Sequence, residues 1–251
     1  MFDLSGKIAI ITGGNQSIGF AIAQGLAKAG AHAIIANRRI DEGDKAASLI
    51  KSEGYAATAI PTDVSSITTI SRLVNTVVDK FGKIDILVNN AGVMVRKPIL
   101  DIEELDWNYL MDINLKGMFF CCQLVGKEMI KNKKGRIINL SSLRSQKMAP
   151  NRSIYAISKA GISNLTRAFA YEWGKFNITV NAIAPGTIAT EFNRKHFEEH
   201  PDEFNEIIKS IPVGRVGNPL DCISTALFLA SDESGFITGQ TIFTDGGTSI
   251  C

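Results

Sequence analysis

Short, continuously apolar runs alternate with longer amphipathic stretches from one end of this 251-residue chain to the other. The runs at Lys7–Thr12, His32–Asn37, Ala57–Pro61, Ile84–Asn89, Arg136–Ser141, Ile178–Ile183 and Gln240–Thr244 read as seven strands, apolar enough to be covered on both faces. Between them, apolar residues return every three or four positions over Ile18–Ala29, Asp41–Glu53, Ser65–Phe81, Ile102–Lys131, Ser153–Phe176 and Pro219–Ser231, which predicts helices. Strands alternating with helices predict a parallel sheet with helices on both faces, a single doubly wound α/β domain over residues 1–251. Thr190–Ser210 breaks the rhythm: it is polar and charged, follows the sixth strand, and is long enough to be expected as a substrate lid.

Composition narrows the function. With 45% hydrophobic residues the chain can bury a full core. Its 27 basic and 25 acidic side chains nearly cancel and form no long basic run, so neither nucleic acid nor an anionic membrane surface is an expected partner. No apolar run approaches the roughly 18 residues of a membrane span, and the opening Met1–Lys7 lacks the pattern of a secretion signal. Cys121, Cys122, Cys222 and Cys251 show no C-x-x-C spacing, which fits reduced thiols and a cytoplasmic location.

In a doubly wound sheet, ligands bind beyond the carboxyl ends of the strands. After the first strand comes Thr12-Gly13-Gly14-Asn15-Gln16-Ser17-Ile18-Gly19, a glycine-rich turn running into a helix, the context in which backbone amides receive a pyrophosphate. The second strand ends at Asn37-Arg38-Arg39. A carboxylate at this point would take the ribose hydroxyls of NAD, whereas guanidiniums suit the 2′-phosphate of NADP; the same residues also suit a solvated basic turn. Asp63-Val64 follows the third strand, at an adenine edge or as a helix cap. Asn89-Asn90-Ala91-Gly92 follows the fourth, with residues small enough for close backbone approach. Tyr155 and Lys159 lie four apart on a predicted helix, hence on one face, with Ser142 thirteen residues upstream of the tyrosine. A phenol titrates near ~10, and a neighbouring ammonium favours its ionised form.

Taken together and in order, the Thr12–Gly19 turn, Asp63, Asn89–Gly92, Asn114, Ser142, Tyr155 with Lys159, Pro185-Gly186 with Thr190, and Asp245-Gly246-Gly247 resemble the short-chain dehydrogenase/reductase family over essentially the whole chain. The resemblance implies a Rossmann-type fold and a carbonyl–alcohol interconversion with a nicotinamide cofactor, NADP(H) preferred and NAD(H) possible. It gives Tyr155 the role of proton donor in reduction and Ser142 that of polarising the substrate oxygen. Lys159 would bind the nicotinamide ribose and lower the tyrosine pKa, Asn114 would hold a water linking Lys159 to solvent, and Pro185, Gly186, Ile188 and Thr190 would line the nicotinamide. It also implies a homotetramer, with the helices at Ile102–Lys131 and Ser153–Phe176 pairing across a two-fold axis. Ser17 departs from the pattern, since the family usually has glycine there and serine tolerates a positive φ poorly.

Within the family the chain is similar to reductases of sugar acids, through Arg96-Lys97-Pro98, Ile183–Gly186 and Gly214–Gly217. Arg96 and Arg144 are candidates for a substrate carboxylate, which the planar guanidinium fork suits, or are ordinary surface arginines. Reduction of 3-oxoacyl thioesters or of simple carbonyls, and non-catalytic NADP sensing, are alternatives on the same fold. His196-Phe197-Glu198-Glu199-His200 matches the H-x-x-E-H pattern of some zinc proteases without an evident third ligand, and is expected to be a solvated turn rather than a metal site. Asn151-Arg152-Ser153 and Asn177-Ile178-Thr179 match the glycosylation pattern, with no sign of secretion. Met118–Cys122 is expected to be core or interface.

Overall fold

The computed structural model describes residues 2–190 and 197–251. Seven strands, β1 (Ile8–Thr12), β2 (His32–Asn37), β3 (Ala57–Pro61), β4 (Ile86–Asn89), β5 (Gly135–Leu140), β6 (Ile178–Pro185) and β7 (Thr241–Thr244), form one sheet in the order β3-β2-β1-β4-β5-β6-β7. Every neighbouring pair is parallel. The strand order reverses between β1 and β4, and a crevice for ligand opens at that switch point.

The period-two alternation of a strand divides the core into two layers. Ala9 and Ile11 of β1, Ala33 and Ile35 of β2, and Ile138 of β5 face one side, where they meet Ile22 and Leu26 of α1 (Ser17–Lys28) and Ile50 of α2 (Ile40–Ser52). Ile10, Ile34, Leu87 and Ile137 face the other. There they meet Leu73 and Val77 of α3 (Ile67–Phe81), Met118 and Val125 on a later helix, and Ile162 of α6 (Ser153–Trp173). Leu229 from α8 (Ile223–Ala230) completes the first layer.

The long helix expected over Ile102–Lys131 is in fact two, α4 (Glu104–Met111) and α5 (Gly117–Asn132), joined without a break by a π turn at Asp112–Lys116. Residues of a π turn are helical, so the sequence pattern runs on through it. Part of the polar stretch expected as a lid is likewise regular: Pro201–Lys209 forms helix α7, with proline in its first turn.

Candidate active site

The turn after β1 is shaped by its backbone. Gly13 has φ +64°, and a Cβ there would lie 3.0 Å from the Asn90 side-chain nitrogen; a Cβ on Gly19 would collide with the Gly13 carbonyl. A close-packed cradle at the start of α1 fits a pyrophosphate, which needs backbone and not side chains around it. Gln16 is extended, and Ser17 adopts φ +53° as α1 begins. The serine therefore keeps the left-handed turn, at a cost of about 1–2 kcal/mol relative to a relaxed backbone.

Asn90 builds this turn. Its Nδ2 donates to the carbonyls of Thr12 (3.1 Å) and Gly13 (3.0 Å), and Thr12 Oγ1 accepts from the amides of Asn90 (3.0 Å) and Ala91 (3.1 Å). At the end of β2, Asn37 is buried and donates from Nδ2 to the Arg39 carbonyl at 2.6 Å, while Arg38 and Arg39 are exposed. Arg39 is paired at 2.7 Å with Glu42, which also accepts from Asn15 Nδ2 at 3.0 Å. The acid in the first turn of α2 thus sits between the two turns expected to carry phosphate. Asp63 Oδ1 accepts from the Ser65 amide (2.9 Å) and hydroxyl (2.7 Å), closing a turn ahead of α3, whose N-cap is Ser66 with no side-chain cap, so Asp63 does not cap that helix. Val64 beside it is buried.

Deeper in, a cavity of about 290 Å³ opens over the carboxyl ends of β4, β5 and β6. Its wall brings together Ser142, Tyr155 and Lys159 with Ile18, Gly92, Pro185, Gly186, Ile188 and Thr190. Arg96 and Arg144 line the same space. Asn114 is fully buried behind this wall, where its side chain pairs with one residue's backbone in both directions: the Val93 amide donates to Oδ1 (2.8 Å) and Nδ2 donates to the Val93 carbonyl (2.9 Å). Nδ2 also reaches Ser158 Oγ at 3.2 Å, and Ser158 donates to the Tyr155 carbonyl at 2.7 Å. Asn114 therefore fixes the segment carrying Gly92 and the first turn of α6 at once. A Cβ on Gly92 would lie 3.3 Å from Asn114 Oδ1 and 3.8 Å from Lys159 Nζ, so only glycine leaves the space between them open.

Lys159 is buried, and its ammonium donates to the Leu140 carbonyl at 2.6 Å, 5.5 Å from the centre of the Tyr155 ring. Burial pulls its pKa down to about 8. Desolvation raises the Tyr155 phenol above its ordinary value, and the Ser142 hydroxyl and the Arg152 and Arg144 guanidiniums offset only part of that rise. The lysine ammonium is turned toward the Leu140 carbonyl while remaining beside the tyrosine ring. Ser142 Oγ accepts from the Arg144 amide at 3.1 Å, so the hydroxyl keeps its own proton to donate.

The cavity wall also holds residues that were not among the candidates drawn from the sequence, Arg152, Phe197 and Glu203 among them. Arg152 is the N-cap residue of α6, with a non-helical backbone (φ −129°), so no helical spacing in the sequence assigns it to the site. Phe197 and Glu203 flank or belong to α7, whose placement over the cavity no local pattern encodes. Of the H-x-x-E-H run, His196 lies outside the described residues, as do residues 191–195 of the expected lid. Among the described residues, no three His, Cys, Asp or Glu side chains are grouped to hold a metal ion, and no helix is long and apolar enough to cross a membrane.

Comparison with known proteins agrees with this geometry. Residues 13–249 match the family model described as enoyl-(acyl carrier protein) reductase. The chain is 39% identical over 247 residues to 2-dehydro-3-deoxy-D-gluconate 5-dehydrogenase of Dickeya dadantii, covering 98% of this chain and 96% of that one. It is 34% identical over 251 residues to gluconate 5-dehydrogenase of Gluconobacter oxydans, covering 100% and 97%. The crystal structure of a gluconate 5-dehydrogenase from Burkholderia cenocepacia in complex with NADP and tartrate superposes with a TM-score of 0.96 at 36% identity, covering 100% and 98% of the two chains. With its sheet order, its glycine-shaped turn and its Ser142–Tyr155–Lys159 wall, the chain belongs to the short-chain dehydrogenase/reductase family of oxidoreductases, which act on CH–OH groups.

Proposed function

We propose that the protein is an NADP(H)-dependent reductase and dehydrogenase that interconverts a carbonyl and a secondary alcohol on a sugar acid of the gluconate type. The observation that carries this reading is the cavity itself: a serine, tyrosine and lysine on one wall, with the Arg96 and Arg144 guanidiniums facing the same space. The relatives named for gluconate-type substrates, and the NADP bound in one of their structures, support it.

The cofactor would rest its pyrophosphate on the turn formed by Gly13, Asn15, Gln16, Ser17, Ile18 and Gly19. Its 2′-phosphate would meet Asn37, Arg38 and Arg39, its adenine Asp63 and Val64, and its nicotinamide end the Asn90–Gly92 segment with Pro185, Gly186, Ile188 and Thr190. When bound, it supplies or accepts hydride. The chain's own residues handle the proton. Ser142, whose oxygen is engaged by the Arg144 amide, donates to the substrate carbonyl and stabilises charge developing there. Tyr155 gives its phenolic proton to that oxygen in reduction and takes it back in oxidation. Lys159 holds the nicotinamide ribose, and Asn114 links it to solvent through a water. The 190–210 stretch, of which α7 is the described helical part, acts as the lid.

We extend the reading to a homotetramer working in the cytoplasm. Exposed apolar side chains on the faces of α4 and α6 support the assembly, and four free thiols suit a reducing compartment.

The test is NADPH and NADH oxidation by the purified protein with 5-keto-gluconate, other keto-acids, diketones and an acetoacetyl thioester. Selective turnover of the keto-sugar acid with NADPH is expected. Tyr155→Phe should lower kcat by on the order of 10²–10⁴-fold with cofactor affinity retained. Undiminished turnover in that variant would remove Tyr155 from the chemistry. Turnover of the thioester or diketones alone would remove the sugar acid, and NADPH binding without any turnover would favour a sensor.

A further inference from the structure

A gluconate-type substrate brings one carboxylate, and the cavity offers guanidiniums for more than one. Arg96 comes from the segment after β4, Arg144 from the turn after β5, and Arg152 from the entry to α6. Two of the three segments are fastened to each other, and the third is anchored within its own loop. The Lys97 amide donates to the Asn151 carbonyl at 3.2 Å, tying the Arg96 segment to the residue before Arg152. Arg144 Nη1 donates to the carbonyls of Lys147 (3.3 Å) and Met148 (3.1 Å), which anchors that guanidinium to its own loop.

Arg152 is held differently. It is half-buried and lines the cavity, yet its side chain makes no hydrogen bond or ion pair among the described residues. The groups that act on it are the like charges of Arg96 and Arg144, the Glu203 carboxylate from α7, and the Tyr155 phenol. A guanidinium partly withdrawn from water beside two others presents a fork of N–H donors toward the cavity that an anionic ligand would satisfy.

Resting on the sugar-acid reading, we infer that the substrate carries a second anionic group, and that Arg152, seconded by Arg144, is the residue that selects for it. The chemistry required is a planar or tetrahedral oxyanion at the far end of the sugar chain, either the second carboxylate of a diacid or a phosphate ester. The carbonyl would stand at Ser142 and Tyr155, with one anionic end toward Arg96 and the other toward Arg152. A monoanionic sugar acid would leave the Arg152 donors to water.

Calorimetric titration of the NADP⁺-saturated protein tests this with gluconate, glucarate and 6-phosphogluconate, in wild type, Arg152→Gln and Arg152→Lys. One of the two dianions should bind wild type at least about tenfold more tightly than gluconate, as a charge-assisted hydrogen bond provides. Arg152→Gln should bring the ratio toward one, and Arg152→Lys should recover part of it. Glucarate and phosphogluconate as separate arms tell which oxyanion the site takes. Equal binding of all three ligands to wild type overturns the inference and leaves the sugar-acid reading standing, as does a dianion preference that survives Arg152→Gln. Failure of all three to bind overturns both.

Discussion

Lys159 carries a charge that the folded chain would be more stable without. Burial lowers its pKa from the ordinary 10.5 to about 8, so between those values the unfolded chain binds more protons than the folded one, and stability rises with pH across that window. Below pH 8 the penalty is present in full, on the order of 3 kcal/mol. Lys159→Met should therefore abolish turnover yet raise the melting temperature of the cofactor-free protein at pH 7 by several degrees, roughly 2–4 °C per kcal/mol for a chain of this size. It should also flatten the rise in stability that wild type shows on going from pH 8 toward 10.5. Differential scanning fluorimetry over pH 6–10 checks both, and a melting temperature that falls in the variant would refute the argument. The pairing of Tyr155 with Lys159 was legible in the sequence because a helix repeats every 3.6 residues. The cations that offset part of the rise in the phenol's pKa were not, because Arg144 and Arg152 reach the phenol from a turn and a helix entry whose geometry no spacing states.

Between elements, Glu42 is the residue whose position matters most and whose sequence context said least. It belongs to the first turn of α2, where an acid favours the helix macrodipole. It also joins the β1–α1 turn, through Asn15, to the β2–α2 turn, through Arg39. A carboxylate there would oppose a 2′-phosphate and occupies one of the two guanidiniums proposed for it. Glu42→Gln keeps an acceptor for Asn15 and removes the charge. It should tighten NADPH binding by roughly two- to fivefold, the value of an exposed ion pair, and leave NADH unchanged. The measurement is a nicotinamide fluorescence titration at low and high salt, with the gain shrinking as salt rises. A tighter NADH complex, or an unaltered NADPH one, would mean Glu42 does not face the phosphate. The strands were legible at this scale because a parallel strand buried on both faces is apolar without interruption. The π turn at Asp112–Lys116 was not: its apolar pattern is that of an ordinary helix, and the turn carries Asn114, whose side chain pairs with the Val93 backbone.

For the molecule as a whole, apolar surface remains to be covered. Leu100 is 94% exposed, Leu105 77% and Tyr171 92%, on or beside the helices expected to meet a second copy. Exposed apolar side chains of this kind are what the proposed assembly would cover. Light scattering coupled to size exclusion should give four times the 27.2 kDa of one chain, and Tyr171→Glu with Leu105→Glu should shift the species toward dimer or monomer; a monomer from the unaltered protein would refute the assembly. The doubly wound architecture was readable from strand–helix alternation alone, whereas the seating of α7 over the cavity depends on contacts between residues far apart in the chain. Such distance has a consequence in time. The clamp that sets the glycine turn joins Thr12 to Asn90, 78 residues downstream, and the central pairing of β1 with β4 spans the same interval. On the ribosome the first strand waits for the fourth, with the crossover between them already made, before its turn has anything to close against. The glycine turn therefore cannot close until Asn90 has been made, and a fragment that stops short of Asn90 lacks the partner that gives the turn its shape.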